Sequence, residues 1–169
     1  MDNTMRKNEK GLEFTRVFDA PRAKVWEAWT TPEMVKKWWG PKDFTAPHIE
    51  IDLREGGKYL YCMHGVVVPG GEAHDFWSAG IFREVKAPEK IVVTDYFSDE
   101  KGNPVTPAYY GMGSDVPYET TVETMLEEMG NKTKFTLRYP DTSRFDEQDL
   151  KDMDMGWNQS LDKLAEALK

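Results

Sequence analysis

Histidine and cysteine are the side chains that most directly support nucleophilic or metal chemistry, and this sequence has few of them. It contains three His and one Cys among 169 residues. His64 and the pair His74-Asp75 flank a turn between neighbouring predicted strands, but a metal site usually needs three or four converging ligands. Cys62 and His64 share a strand face without a third group to orient them. We therefore predict no catalytic residue, no metal and no cofactor.

One carboxylate stands out because it interrupts an apolar run. Asp95 lies within Ile91–Phe97, which is otherwise rich in strand-forming residues. Strand alternation places it on the same face as Ile91, Val93 and Phe97. If that face points into the protein, burial raises the pKa of Asp95, and the group can act as an acid or base. If the face points outward, Asp95 is an ordinary surface carboxylate.

Aromatic side chains are the stronger candidates for a binding site. Aromatic residues make up 12% of the chain and include six Trp, which is enough to fill a large core or to line a pocket. A pocket for a small molecule is mostly apolar, with a few placed polar groups. The candidate cavity-lining residues are Trp38, Trp39, Tyr59, Tyr61, Met63, Trp77, Asp95, Tyr110 and Trp157. Two readings stay open: the rings line a cavity, or they fill the space as a dry core.

Composition excludes several classes of protein. The chain carries 22 Lys and Arg against 30 Asp and Glu, a formal net charge of −8, which disfavours nucleic acid as a partner. No apolar run reaches the roughly 20 residues of a membrane span. Cys62 is the only cysteine, so no internal disulfide can form, and we expect a reducing, cytoplasmic setting. Residues 1–10 are polar and predict a disordered tail, whereas residues 11–169 predict one domain.

The hydrophobic pattern predicts two short helices between a first strand and a longer series of strands. Asp19 and Thr31 are the expected N-caps of the short helices. The predicted strands are Leu12–Phe18, His48–Leu53, Lys58–His64, Asp75–Val85, Lys90–Phe97, Thr120–Glu127 and Lys132–Tyr139. A long amphipathic helix is predicted over Asp146–Leu168, because apolar residues recur there at spacings of three and four. Its opposite face carries polar residues, among them Gln159 and Lys163.

The segment between the strands ending at Phe97 and starting at Thr120 is unusually long. Ser98–Glu119 contains several Pro, Gly and Tyr residues. Connections of this length are uncommon unless they are functional or disordered. A lid over a cavity and a simple disordered loop are the two alternatives.

This order of elements predicts an α+β fold. The long C-terminal helix can bury its apolar stripe only against the concave face of a curved antiparallel sheet. A sheet that wraps a helix in this way leaves a gap between the two.

Several motifs resemble a known family. The segments Phe18-Asp19-Ala20-Pro21, Val25 to Glu33 (VWEAWTTPE), Trp38-Trp39-Gly40-Pro41 and Asp52 to Tyr59 (DLREGGKY), with Gly156-Trp157 and Leu161 to Leu164 in the last helix, are similar to the activator of heat-shock protein 90 ATPase homologue-like family. The resemblance spans about Leu12 to Leu168. It implies the helix-grip fold of the START-like and Bet v 1-like group, to which polyketide cyclases and lipid-transfer domains belong.

The resemblance also implies a function class. It implies a cavity between sheet and helix that takes a hydrophobic or aromatic small molecule, and our first hypothesis is a binding protein with a link to stress response. The alternatives are a module that contacts a chaperone, and an enzyme of the polyketide-cyclase kind in which Asp95 acts as acid or base. A monomer and a weak homodimer are both compatible with the sequence.

Overall fold

A single antiparallel sheet forms most of the computed structural model, which describes residues 4–8, 11–113 and 119–169. Its eight strands follow the order β1-β2-β8-β7-β6-β5-β4-β3. The strands are β1 (Thr4–Asn8), β2 (Gly11–Phe18), β3 (Thr45–Ile51), β4 (Lys58–Gly65), β5 (His74–Lys86), β6 (Lys90–Ser98), β7 (Glu119–Met129) and β8 (Lys132–Tyr139). The α+β fold with a curved sheet and a long C-terminal helix is confirmed.

Two irregularities in strand pairing help the sheet to bend. The register shifts between Phe82 and Glu84 where β5 meets β6, and between Thr45 and His48 where β3 meets β4. An extra residue in one strand of an antiparallel pair bends that strand and increases its twist. The sheet thereby presents a concave face on which a helix can lie.

Helix α3 (Glu147–Ala167) crosses this concave face. Its 21 residues span about 32 Å at 1.5 Å per residue. Asp146 caps the helix: its side chain accepts from the backbone N–H of Asp149, and the Asp149 carboxylate accepts from the N–H of Asp146. Leu161, Leu164 and Leu168 are buried beneath it, as the spacing predicts.

Lys163 lies on a different face of α3 from the one expected. It was predicted to point to solvent, but its Nζ donates to the carbonyl oxygens of Trp39, Pro41 and Phe44 at 3.1–3.3 Å. Burial lowers the pKa of this amine. The side chain fixes the loop after the second short helix onto α3, since it supplies donors to three carbonyls that no strand or helix satisfies.

The two short helices are α1 (Arg22–Thr30) and α2 (Pro32–Val35), and both predicted side-chain caps are wrong. Asp19 is exposed, and Pro21 occupies the N-cap position of α1 instead. Thr31 is at the N-cap of α2, but its side chain makes no capping bond. The chain just before α1 is held to the sheet, because Thr133 Oγ1 on β8 donates to the carbonyl of Ala20 at 2.7 Å.

The N-terminal segment differs from the predicted disordered tail. Residues 4–8 form β1 and pair with β2, with Met5 opposite Phe14. No alternation of apolar and polar residues is evident in so short and polar a segment. β1 instead pairs along the edge of the sheet that β2 offers. Residues 1–3, 9 and 10 lie outside the described residues. No helix in the described part of the chain is long and apolar enough to cross a membrane.

The long connection after β6 is ordered over its described part. Pro104 bridges to Ser98, and a short 3-10 turn covers Pro107–Tyr110. The Tyr110 hydroxyl donates to the carbonyl of Ser98 and accepts from the N–H of Trp77. These bonds tie the segment to the ends of β5 and β6. Residues 114–118 lie outside the described residues, and the lid hypothesis stays a prediction.

Candidate functional site

A cavity of about 230 Å³ lies between the concave face of the sheet and α3. Its wall is mostly apolar and aromatic. The lining residues are Trp29, Thr30, Trp38, Trp39, Ile51, Leu53, Tyr59, Tyr61, Met63, Phe76, Trp77, Ser78, Phe82, Ile91, Val93, Asp95, Phe97, Val122, Thr124, Leu137, Tyr139 and Trp157. The rings therefore line an open space and do not fill it completely.

A carboxyl–phenol pair stands in the sheet wall of this cavity. Tyr59 on β4 lies opposite Gly80 on β5, and Gly80 lies opposite Asp95 on β6. The Tyr59 hydroxyl donates to Asp95 Oδ2 across the intervening strand. The three residues form one row across the sheet, because directly paired residues share a face.

Gly80 is what allows the two side chains to meet. A Cβ atom at this position would lie 2.5 Å from Cε1 and Cζ of Tyr59 and 2.5 Å from the carbonyl oxygen of Thr94. The Tyr59 ring occupies the space that any other side chain would need. A residue with no side chain is thus required at this point of the strand.

Asp95 is surrounded by protein, and the part of it that stays accessible faces the cavity that it lines. Burial raises its pKa to about 7, and the hydrogen bond from Tyr59 opposes the rise. A group that titrates near neutral pH exchanges protons readily under physiological conditions. Of the two orientations considered for Asp95, the geometry supports the one in which its side chain points into the protein.

Two tyrosines pack side by side next to Asp95. The ring centroids of Tyr59 and Tyr61 are 4.7 Å apart. Burial, and then the neighbouring Asp95 charge, raises the pKa of both phenols. Both therefore stay protonated and act as hydrogen-bond donors at neutral pH.

Four tryptophans form the helical side of the cavity. Trp29 stacks on Trp38 at 4.5 Å and faces Trp157 at 6.2 Å. Trp39 meets Trp157 edge to face at 5.8 Å and Tyr61 at 4.7 Å. The cluster joins α1, the segment just after α2, α3 and β4 through ring contacts of the kind that aromatic pairs prefer.

The hydrogen bonds of the indole groups hold the cluster in place. Trp38 Nε1 donates to the carbonyl of Ala28 at 2.8 Å, and Trp157 Nε1 donates to the Tyr139 hydroxyl at 2.8 Å. Both donors are satisfied within the protein, so the rings present carbon surface to the cavity.

Most of the predicted residues line the cavity, but they make up only part of its wall. Eight of the nine line it: Trp38, Trp39, Tyr59, Tyr61, Met63, Trp77, Asp95 and Trp157. Trp29 and Tyr139 are among the lining residues that were not predicted. Trp29 belongs to the apolar stripe of α1, and Tyr139 follows Leu137 on the same face of β8, so both signals were present in the pattern.

Trp77 is among the lining residues, although its strand pairing differs from that of Tyr61. It pairs with Cys62, whereas Tyr61 pairs with Ser78, so the Trp77 ring belongs to the convex face of the sheet. There it packs against His48 at 5.4 Å between ring centroids. Neighbouring residues in a strand alternate faces, so Phe76 and Ser78, on either side of Trp77, share the concave face with Tyr61.

Tyr110 does not line the cavity. Its ring contacts Phe76 at 5.4 Å and Phe97 at 6.2 Å, and both of those residues do line it. Tyr110 therefore supports the wall from behind.

The histidine and cysteine side chains lie away from the cavity. His64 Nδ1 is 2.7 Å from Asp75 Oδ1 on the sheet exterior, the approach that the sequence suggested. Cys62 is buried, and burial raises the pKa of its thiol to about 12. In the ranges that the structure describes, no group of three or more His, Cys, Asp or Glu residues can hold a metal ion.

Fold and cavity together define a helix-grip protein, in which a curved antiparallel sheet and a C-terminal helix enclose an apolar space. The family model described as "Activator of Hsp90 ATPase homolog 1-like protein" matches residues 19–169. The chain belongs to this family, as the sequence motifs indicated. No curated protein matches the sequence.

Solved structures of bacterial proteins share the fold over nearly the whole chain. A Staphylococcus epidermidis protein is 24% identical, with 98% of this chain and 93% of that chain covered and a TM-score of 0.75. An Arthrobacter aurescens protein is 25% identical, with 98% and 90% covered and a TM-score of 0.74. The AHSA1 protein of Silicibacter pomeroyi is 22% identical, with 92% and 95% covered and a TM-score of 0.68.

Gly80→Ala should destabilise the protein by about 1–3 kcal/mol, since overpacking a well-filled site has that typical cost. Urea denaturation measures the change. Gly156→Ala is the matched control: the added Cβ there would meet only Pro41 Cγ at 3.9 Å. Because Gly156 is inside α3, that substitution should stabilise by about 0.5–1 kcal/mol. Equal effects of the two substitutions would contradict the packing of Tyr59 over Gly80.

Asp95 should make the wild-type protein less stable as pH rises. Its folded-state pKa of about 7 exceeds the roughly 3.9 expected in the unfolded chain, so the folded state binds more protons between these values. Stability is therefore lost from about pH 4 to pH 7, and the loss persists above pH 7. Asp95→Asn removes the titrating group, so its stability relative to wild type should rise over that window by about 1–3 kcal/mol.

Thermal and urea unfolding at pH 4.5, 6 and 8 test this dependence. Asp19→Asn, at an exposed carboxyl, is the control for removal of one negative charge. A constant difference between Asp95→Asn and wild type across the three pH values would show that the Asp95 carboxyl is not buried as described.

Proposed function

We propose that this protein binds a small hydrophobic or aromatic molecule in the cavity between its sheet and α3. The observation that carries the proposal is a mostly apolar, aromatic-lined space of about 230 Å³, with the hydrogen-bonded pair Asp95 and Tyr59 among the few polar groups in its wall. Ligand sites combine mostly apolar lining with a few placed polar groups. Membership in a START-like family supports the same class of function.

The size of the cavity limits the ligand. Sites for drug-sized ligands occupy roughly 300–1,000 Å³, and engineered apolar cavities of about 150 Å³ accept benzene. A space of about 230 Å³ therefore fits a ligand with one or two rings. Trp29, Trp39 and Trp157 in the wall would report its arrival through their fluorescence.

Titration of a panel of small aromatics, fatty acids and flavonoids, followed by Trp fluorescence, tests the proposal. Val93→Phe should weaken binding at least about tenfold, because Val93 lines the cavity and a larger ring there fills it. Val92→Phe is the matched control, since Val92 lies on the opposite face of β6 and should leave the affinity unchanged. Native mass spectrometry would show any ligand that co-purifies. A fluorescence response that persists in Val93→Phe would place the ligand elsewhere and refute the proposal.

A second candidate function is an enzyme of the polyketide-cyclase kind. The observation that favours it is the position of Asp95, a carboxyl with a pKa of about 7 inside an apolar cavity. Such a group can take a proton from the acidic carbon between two carbonyls, and the enolate formed can attack another carbonyl of the same chain.

One variant distinguishes the enzyme from a protein that only binds its ligand. Asp95→Asn should abolish conversion of a short aromatic poly-β-ketone while the variant still binds the compound, because only the proton acceptor is lost. Mass spectrometry of the product and Trp fluorescence of the complex measure the two effects. If the wild-type protein binds the compound but forms no product, the enzymatic function is refuted and only the binding function remains.

A further inference from the structure

The cavity wall carries ionisable charge of one sign only. Among its described lining residues, Asp95 is the single carboxyl, and there is no Lys, Arg or His. A ligand carboxylate or phosphate would therefore enter a space that has no cation to meet it, next to a group that becomes negative near neutral pH. An anion is disfavoured on both grounds.

Asp95 also has unused capacity to accept hydrogen bonds. A carboxylate has two oxygens with about four acceptor positions. The described residues supply one hydrogen bond, from the Tyr59 hydroxyl to Oδ2. A buried carboxylate with so few donors is costly unless a further donor or a positive charge arrives. The raised pKa of Asp95 reflects this cost in the unliganded protein.

Aromatic rings surround the same space. Tyr59 and Tyr61 pack together at 4.7 Å beside Asp95, and Tyr61 in turn meets the Trp39 ring at 4.7 Å. The face of an aromatic ring is electronegative and attracts a cation within about 6 Å, most strongly where water is excluded. The aromatic rings and the carboxylate both attract a positively charged group. Neither attracts a neutral ligand of the same size as strongly.

From this arrangement we infer that the ligand is a small organic cation, an apolar or aromatic body with a protonated amine that pairs with Asp95 beside Tyr59 and Tyr61. The inference rests on the proposed binding function and specifies its ligand class. The ammonium group supplies the donor and the charge that Asp95 lacks, and the apolar body fills the rest of the space.

Three ligands of nearly equal size test the inference: 2-phenylethylamine, 2-phenylethanol and phenylacetate. At pH 8 the wild-type protein should bind the amine about tenfold more tightly than the alcohol, with phenylacetate weakest. Asp95→Asn should weaken binding of the amine more than binding of the alcohol and so reduce the amine's advantage to about twofold or less. Asp19→Asn removes one negative charge far from the wall and should keep the full advantage. Calorimetry and Trp fluorescence give the dissociation constants.

The pH dependence provides a second readout on the unmodified protein. The titratable groups that line the cavity besides Asp95 are Tyr59 and Tyr61 from β4 and Tyr139 from β8. The facing residues of β5, β7 and α3, which include Gly80, Thr120 and Trp157, do not titrate. The amine is the protonated form throughout, so its affinity should fall about tenfold per unit well below pH 7, as Asp95 must first lose a proton. The affinity of the alcohol should not change.

Each outcome decides between the possibilities. Equal affinities for amine and alcohol, or an amine advantage that survives Asp95→Asn, overturn the inference and leave the binding function standing. If phenylacetate binds most tightly of the three, the inference is likewise overturned and the binding function stands. Binding of none of the three ligands overturns both the inference and the proposed function.

Discussion

The burial of one helix against one sheet is the constraint on which the rest of this structure depends. The apolar stripe of α3 needs a surface, and the sheet must bend to supply one. A curved sheet cannot contact a straight helix evenly along its whole width, so space remains where the curvature is greatest. The cavity follows from this mismatch, and the four tryptophans and Lys163 join the short helices to α3 around it.

Within this frame the polar chemistry is concentrated in a single row of the sheet. Tyr59, Gly80 and Asp95 occupy adjacent strands at the same level, and each depends on its neighbours. The glycine gives the phenol room, the phenol reaches the carboxyl, and the carboxyl faces an otherwise apolar space. A buried carboxyl in such a wall favours one orientation of a bound molecule, because its desolvation is compensated only when a matching donor lies against it.

The sequence was sufficient for the fold because its signals were local and repeated. Alternation gave the strands, the three-and-four spacing gave α3, and Asp95 was recognisable as a carboxyl in an apolar strand. The face on which the Trp77 ring lies was not readable from the pattern, because an alternation of period two is reversed by a one-residue shift and only the pairing with Cys62 fixes the face. The predicted caps at Asp19 and Thr31 were wrong, because Pro21 takes the N-cap position of α1 and the Thr31 side chain makes no capping bond. The contact between Tyr59 and Asp95 joins residues 36 apart across a third strand, and no local pattern encodes it.

The position of α3 in the chain has a consequence for synthesis. All eight strands precede it, so a chain that emerges from its N-terminus can pair its sheet before the helix exists. Until Trp157 and Leu161 arrive, the aromatic concave face has nothing to cover it, and exposed apolar surface of this kind promotes aggregation. The nascent protein therefore passes through a stage in which the future wall of its cavity is exposed to aggregation, and only the docking of α3 covers it.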